Sequence, residues 1–349
     1  MSDPEITPAR VEQHAFHYDG QTGTIYRIWF LNILLNVVTL GIHSFWGRTR
    51  LRRYAAANFA LAGDRLEYVG TGKELFKGFL TALPVIILLY APLVALPPEE
   101  YPATTLVFIP IAYFIYVGLF AAMRYRLSRT LWRGIRGRLT GSAFAYGGVV
   151  LATLVLNIVT LGVMIPWSDR RTTGYLMRRV RFGDSQATFT DDAKDLWRIH
   201  FITIAIPLLI AVGVGVLIYA AGGLTEEGDG AAFIPLTVIV VFAIARIWYR
   251  AALTRYQFNN LHIAGLRFAA DQTGGEQAKL LIGNLLIIIL TLGLGRPFVM
   301  QRDFRFIARH ISLHGDVNAA AVHIQQSRET LSSTGEGLDG ILGAEAGVL

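Results

Sequence analysis

Seven stretches of the chain are long, apolar and nearly free of charge: Thr24–Trp46, Leu75–Leu96, Thr104–Met123, Ala143–Trp167, Ile199–Ala221, Ala232–Ala245 continuing past Arg246, and Leu280–Met300. Roughly 20 apolar helical residues cross a bilayer core of about 30 Å, so each stretch approaches the length of a membrane helix. The polar segments between them are of two kinds. Pro97–Ala103 carries Glu99 and Glu100, and Gly222–Gly230 carries Glu226, Glu227 and Asp229, with no lysine or arginine in either. Cytoplasmic loops are the ones enriched in lysine and arginine. The second and third stretches, and the fifth and sixth, are therefore predicted to pair as helical hairpins with tips on the far side.

The other connections are basic. Arg48, Arg50, Arg52 and Arg53 follow the first stretch, Arg124, Arg126, Arg129 and Arg133 the third, Arg170, Arg171, Arg178 and Arg179 the fourth, and Arg302, Arg305 and Arg309 the seventh. The fourth stretch is thus basic at both ends, which a single crossing cannot place on one side. The first, fourth and seventh stretches are predicted to be re-entrant or broken helices that enter and leave the cytoplasmic face, with the irregular backbone covered by protein or water. Seven true spans are the alternative.

These same three stretches share a pattern: Asn36-Val37-Val38-Thr39-Leu40-Gly41, Asn157-Ile158-Val159-Thr160-Leu161-Gly162, and Ile288-Ile289-Leu290-Thr291-Leu292-Gly293. Seven residues after each threonine stands Trp46, Trp167 or Phe298, eleven after stands Arg50, Arg171 or Arg302, and fifteen after stands Tyr54, Tyr175 or Phe306. Matching in register predicts a threefold internal repeat. Arg48–Phe59 and Arg170–Arg181 have the pattern of basic amphipathic helices at the membrane interface. Turn residues such as Gly63-Asp64, Gly183-Asp184, Ala264-Gly265 and Gly315-Asp316 sit between short apolar alternations and predict small cytoplasmic β-hairpins. The expected fold is an all-α polytopic membrane protein of about seven hydrophobic helices, threefold repeated, with short cytoplasmic β-hairpins. Residues 1–13 are expected as a disordered N-terminal segment, 14–315 as the repeated membrane domain, and 316–349 as a disordered tail.

Composition agrees with a lipid-exposed chain. Of 349 residues, 53% are hydrophobic and 16% charged, against about 45–50% and about 25% in soluble domains. The net charge of +7 lies beside the apolar stretches, which points to anionic lipid headgroups rather than nucleic acid. Met1–Gln13 is polar and does not have the form of a secretory signal. There is no cysteine, hence no disulfide or thiolate metal site.

The run Thr39-Leu40-Gly41-Ile42-His43-Ser44-Phe45-Trp46-Gly47-Arg48-Thr49-Arg50-Leu51-Arg52-Arg53-Tyr54, followed by Gly70-Thr71-Gly72-Lys73-Glu74-Leu75-Phe76, resembles the YjgN family of bacterial inner-membrane proteins, whose domain has no assigned function. The resemblance extends over roughly Phe16–Gly315. It departs where Arg52 and Arg53 are replaced by Thr173 and Gly174 in the second repeat and by Phe304 and Arg305 in the third. It implies an inner-membrane location and carries over no catalytic residue.

Two constellations are candidates for function. Asn32, Asn36 and Thr39 fall on one helical face, as do Thr153, Asn157 and Thr160, and Asn284 with Thr291. The leading expectation is a transporter or channel-like protein whose polar path is lined by Asn32, Asn36, Thr39, Asn157, Thr160, Asn284 and Thr291. Interhelical hydrogen bonds, worth about 0.6–2 kcal/mol each, are the plainer explanation. The alternative function is a non-enzymatic membrane organiser that holds anionic lipid or a protein partner through Arg50, Arg52, Arg53, Arg170, Arg171 and Arg302, with homo-oligomerisation compatible with either. Arg124, Arg126, Arg246 and Arg250 are expected to snorkel to the interface, and His43 and His200 to pack there. His14 and His17 lack a metal-binding context, Gly70-Thr71-Gly72-Lys73 lacks the spacing of a phosphate loop, and no nucleophile motif is present. No enzymatic activity, cofactor or metal is expected.

Overall fold

Each Thr-Leu-Gly triplet reverses the chain. In the computed structural model, which describes residues 13–95, 101–220, 230–318 and 320, helix α1 (Thr22–Val38) stops at Thr39, and helix α2 (Ser44–Asn58) returns beside it. The reversal is a Schellman turn. Leu40 takes φ 50° and Gly41 φ 90°, the Gly41 N–H donates to the Asn36 carbonyl at 2.7 Å, and the Leu40 N–H to Val37 at 3.4 Å. The same bonds link Gly162 to Asn157 (2.7 Å) and Gly293 to Ile288 (2.8 Å). They turn α5 (Ala143–Val159) into α6 (Ile165–Met177) and α9 (Gly274–Leu290) into α10 (Arg296–His310). Each threonine joins the two arms. Thr39 Oγ1 donates to Leu35 and accepts the His43 N–H (2.7 and 2.9 Å), and Thr160 and Thr291 do the same for Met164 and Gly295. The arms stay together to their bases, where the Tyr54 hydroxyl donates to Gln21 and the Tyr175 hydroxyl to Ser142.

The expectation of about seven membrane helices in an all-α fold is overturned on two counts. First, four helices among the described residues are long and apolar enough to cross a membrane. They lie in α3 (Gly72–Ala95), α4 (Tyr101–Ser128), α7 (Lys194–Ala220) and α8 (Gly230–Asn259). The first, fourth and seventh apolar stretches are instead cut by their own helix-stop residues into arms of at most 17 residues, about 25 Å each. The acidic tips expected between α3 and α4, at Glu99 and Glu100, and between α7 and α8, at Glu226 and Glu227, lie outside the described residues.

Second, the strands are not isolated hairpins. They are β1 (Gln13–Tyr18), β2 (Phe59–Leu61), β3 (Asp64–Tyr68), β4 (Thr130–Trp132), β5 (Ile135–Leu139), β6 (Val180–Phe182), β7 (Ser185–Gln186), β8 (Thr188–Phe189), β9 (Leu261–Ile263), β10 (Leu266–Ala270) and β11 (Ile311–His314). All join one antiparallel sheet in the order β7-β6-β5-β4-β3-β2-β1-β11-β10-β9-β8. Its two edges, β7 and β8, are separated by Ala187 alone, so the sheet is a nearly closed ring. Two-residue turns with both φ positive, at Ala62-Gly63, Arg133-Gly134 and Ala264-Gly265, make the local hairpins. The unpaired edge each hairpin leaves is then met by the next hairpin, Tyr68 opposite Thr130 and Leu139 opposite Val180, which removes exposed edges.

The ring is filled rather than open. Leu61, Trp132, Leu266 and Leu313 form a buried cluster with Val317 and Ala320, flanked by Phe16, Leu66, Phe182 and Phe268, and the Trp132 indole N–H donates to the Leu61 carbonyl at 3.2 Å. Val317 and Ala320 belong to the segment expected as a tail. Its residues from 321 onward, and residues 1–12 at the other end, lie outside the described residues. Every helix pair leaves the ring and returns to it, so the arginine-rich connections collect on the ring side of the membrane.

Candidate functional site: an arginine-lined face

Helix α6 begins with Pro166 in its first turn, where a missing N–H costs nothing, and presents Trp167, Arg170, Arg171, Gly174 and Arg178 along one side. Asp191, on the loop after β8, faces them. Its carboxylate accepts from Arg170 Nε at 2.9 Å, from an Arg178 guanidinium nitrogen at 3.1 Å, and from the Tyr256 hydroxyl at 2.5 Å. Asp191 itself has φ 62°, a conformation that aspartate tolerates better than most residues. Burial opposes its ionisation, but the hydrogen bonds from Arg170 and Tyr256 and the charges of Arg170 and Arg178 outweigh that cost and hold the carboxyl below its ordinary value.

Trp167, Arg170, Arg171, Gly174, Arg178 and Asp191 line a half-open cavity of about 220 Å³. Three guanidinium groups face one carboxylate there. Arg171 is exposed and has no ion pair among the described residues. Gly174 makes the space: a side chain built on it would first meet the Arg178 guanidinium carbon at 3.9 Å. In the first and third hairpins the corresponding positions carry Arg53 and Arg305. A larger groove of about 370 Å³ lies alongside, but Asp192 and Asp195 line it with Lys194 and Arg255, so its charge is mixed.

The arginines expected to contact anionic lipid are placed as follows. Arg170 and Arg171 share the cavity. Arg50 is exposed on α2. Arg52 donates to the Tyr68 hydroxyl at 3.3 Å and Arg53 to the Gly70 carbonyl at 3.1 Å, so they also brace α2 against the end of β3 and the chain just after it. Arg302 leans on α9, where a Cβ at Gly283 would approach its guanidinium to 2.9 Å.

Of the seven residues expected to line a polar path, all but Asn36 bond across their own hairpins. Asn32 Nδ2 donates to Gly47 at 3.3 Å, Asn157 Oδ1 accepts from Ser168 at 2.8 Å, and Asn284 Nδ2 donates to Asp303 at 2.7 Å. Thr39, Thr160 and Thr291 are the turn caps described above. No hydrogen bond among the described residues joins one of the three groups to another. Oδ1 of Asn32, Asn36 and Asn284 is buried without a hydrogen-bond partner among the described residues.

Sequence reasoning did not single out Asp191, Arg178 or Gly174 as a unit. The adjacent Asp191-Asp192 after a basic helix was a signal, and so was the loss of arginine at position 174. A second polar group also escaped it. The Tyr249 hydroxyl donates to Asp169 at 2.7 Å, the Arg246 guanidinium stacks 4.3 Å from the Tyr249 ring, and His200 Nε2 lies 3.1 Å from the Gly162 carbonyl. These contacts tie the tip of the second hairpin to α7 and α8.

A family model described as a bacterial protein of unknown function (DUF898) matches residues 13–341. Curated relatives are named inner membrane protein YjgN. One from Escherichia coli is 33% identical over 75 residues, which is 22% of this chain and 19% of the relative. Another from a second Escherichia coli strain is 27% identical over 133 residues, 38% of this chain and 32% of the relative. One from Salmonella typhimurium is 32% identical over 74 residues, 21% and 19% of the two chains. The aligned parts thus span a third or less of the relatives' own length. No solved structure matches the chain.

Proposed function

The chain belongs to the YjgN family of bacterial proteins of unknown function, and from that premise we propose that it is a non-enzymatic organiser of the inner membrane that holds anionic phospholipid headgroups against its arginine face. It is a multi-pass inner-membrane protein, so its basic side meets the cytoplasmic leaflet. The observation that carries the reading is the cavity opened by Gly174 among Arg170, Arg171 and Arg178 beside Trp167. Guanidinium groups match phosphate oxygens with paired hydrogen bonds, each basic residue near an anionic surface is worth about 1 kcal/mol, and tryptophan favours the headgroup level. With one carboxylate against three guanidiniums, the cavity keeps a positive balance that a phosphate would neutralise.

The test is the lipid that copurifies. Arg171→Gln removes a cation that makes no ion pair among the described residues, and Arg170→Gln with Arg178→Gln removes the rest. Phosphatidylglycerol retained per protein, measured by mass spectrometry after detergent extraction, should fall stepwise relative to phosphatidylethanolamine. Retention unchanged in the triple variant would overturn the reading.

A transport role is the second reading. It is supported by the three unpartnered amide oxygens of Asn32, Asn36 and Asn284, groups that a polar solute or water would satisfy. Asn36→Leu with Asn157→Leu should then reduce proton or potassium flux in proteoliposomes, and flux equal to that of the native protein would dismiss it.

A further inference from the structure

We propose that the chain is a one-leaflet wedge: its three re-entrant hairpins fill the cytoplasmic leaflet alone, so that it favours bilayers in which that leaflet is the expanded, convex one. The argument starts at the turns. Leu40, Leu161 and Leu292 are 93%, 93% and 92% exposed, and each is flanked by apolar side chains that the protein also leaves bare: Val38, Val159 and Leu290 are 73%, 74% and 80% exposed. Three uncharged tips of this kind are solvated by acyl chains.

Three observations fix how far the tips penetrate. The Gly162 carbonyl at the second tip meets His200, six residues from Lys194 at the start of α7 (200−194), or about 9 Å along a helix about 40 Å long. Phe45, just past the first tip, packs on Phe76 and Phe79 with ring centroids 5.5 and 5.3 Å apart. Those rings stand four and seven residues into α3, about 6–10 Å from its start. On the returning arms, Arg48 and Arg170 follow Ser44 and Ile165 by four and five residues, about 6–8 Å, and Arg296 opens α10 directly. Arginine keeps its guanidinium at the phosphates while its stem lies along apolar surface. The tips therefore stay within the roughly 15 Å of one leaflet's hydrocarbon.

Among the described residues, six hairpin arms and four crossing helices occupy the cytoplasmic leaflet, and the four crossing helices alone occupy the other. At a diameter of about 10 Å a helix covers roughly 80 Å², so the cross-sections differ by about 500 Å². A protein wider in one leaflet is accommodated best where that leaflet is stretched by curvature, as for helices inserted at the interface.

The experiment uses orientation as its readout. The full chain carries no cysteine, so Arg136→Cys on the exposed face of β5 gives a single reporter on the ring side. The protein is reconstituted into neutral phosphatidylcholine vesicles, where attraction of arginine to anionic lipid plays no part, and labelled with a membrane-impermeant maleimide. With the ring outward, the cytoplasmic leaflet is the convex one. The outward-to-inward ratio should rise threefold or more between vesicles of about 400 nm and about 30 nm diameter. Leu40→Asp, Leu161→Asp and Leu292→Asp together remove tip insertion and should abolish that dependence, without loss of monodispersity because the three side chains touch little protein. An orientation independent of vesicle size, a shift of opposite sign, or a tip variant that keeps the full shift would each overturn the proposal. If the tip variant does not fold, the size dependence of the native chain decides alone.

Discussion

The threonine caps allow a quantitative test of what holds the hairpins. Replacing Thr39, Thr160 and Thr291 by valine keeps the shape and removes the hydroxyl. Each loses a donated bond to the helix above the turn and leaves a backbone N–H, that of His43, Met164 or Gly295, without its acceptor. The threonines are the C-caps of the outgoing helices, but their hydroxyls take the N–H of the next helix's N-cap residue, a bond of the kind whose loss at an N-cap costs about 0.5–2 kcal/mol. If the tips insert as proposed, the value belongs in the upper half of that range, because water cannot stand in there. The three turns share no partners, so the costs should add, giving about 4–6 kcal/mol for the triple variant. Guanidinium-induced unfolding in a mild detergent, followed by tryptophan fluorescence, reads this as a lower midpoint. Thr→Ser at the same positions keeps the bonds and should restore most of the loss. A triple valine variant as stable as the native chain would refute the capping argument. Serine variants as damaged as the valine ones would refute it too, because they would implicate the methyl group instead.

Further consequences follow from other sites. Gly174→Leu fills the cavity on α6 with a better helix former, so phosphatidylglycerol retention should fall while the thermal midpoint holds or rises, and retention at the native level would count against the cavity as the lipid site. Asp191→Asn keeps the turn geometry but frees Arg170 and Arg178, so binding to vesicles containing phosphatidylglycerol should strengthen in a flotation assay. Because the Asp191 carboxyl is held below its ordinary value, the stability it contributes is present above about pH 4 and is lost as pH falls through its native value. With arginine partners about half exposed, that contribution should be no more than about 1 kcal/mol. Melting curves of the native chain and Asp191→Asn should differ at neutral pH and converge in acid. Trp132→Ala should cost about 3–5 kcal/mol by opening a void in the ring, visible as a loss of cooperative unfolding of the strand ring.

The hairpin turns were legible because every residue in them acts locally. Thr39, Leu40 and Gly41 cap, reverse and release the helix within six residues, and the basic run that follows can face only one side of the membrane. The local β-hairpins were legible for the same reason, through Ala264-Gly265 and, one residue out of place, through Gly63-Asp64, where the turn is Ala62-Gly63. The sheet was not. Strands of two to six residues carry too short a period to show their partners, and the pairing of Tyr68 with Thr130 joins positions separated by an entire helical hairpin. The site was half legible. Arg170 and Arg171 stood out as charges, whereas Asp191 meets Tyr256 across 65 residues, and Gly174 matters through what it lacks. In the polar stripes, Asn32, Asn157 and Asn284 bond to the returning arm of their own hairpins, partners that lie beyond the helix whose period reveals the stripe.

The pairing of β1 with β11, Gln13 opposite His314 and Ala15 opposite Ser312, has a consequence for synthesis. Among the described strands β1 leaves the ribosome before the others; it has one lasting neighbour in β2 and must wait for the other until some 300 residues more have been made, roughly 15–60 s at bacterial or slower rates of elongation. Until then the sheet is an open ribbon with a vacant edge at the membrane surface. Chains released early, by a stalled ribosome or a premature stop, would carry that edge permanently and offer quality-control proteases a mark that finished molecules lack.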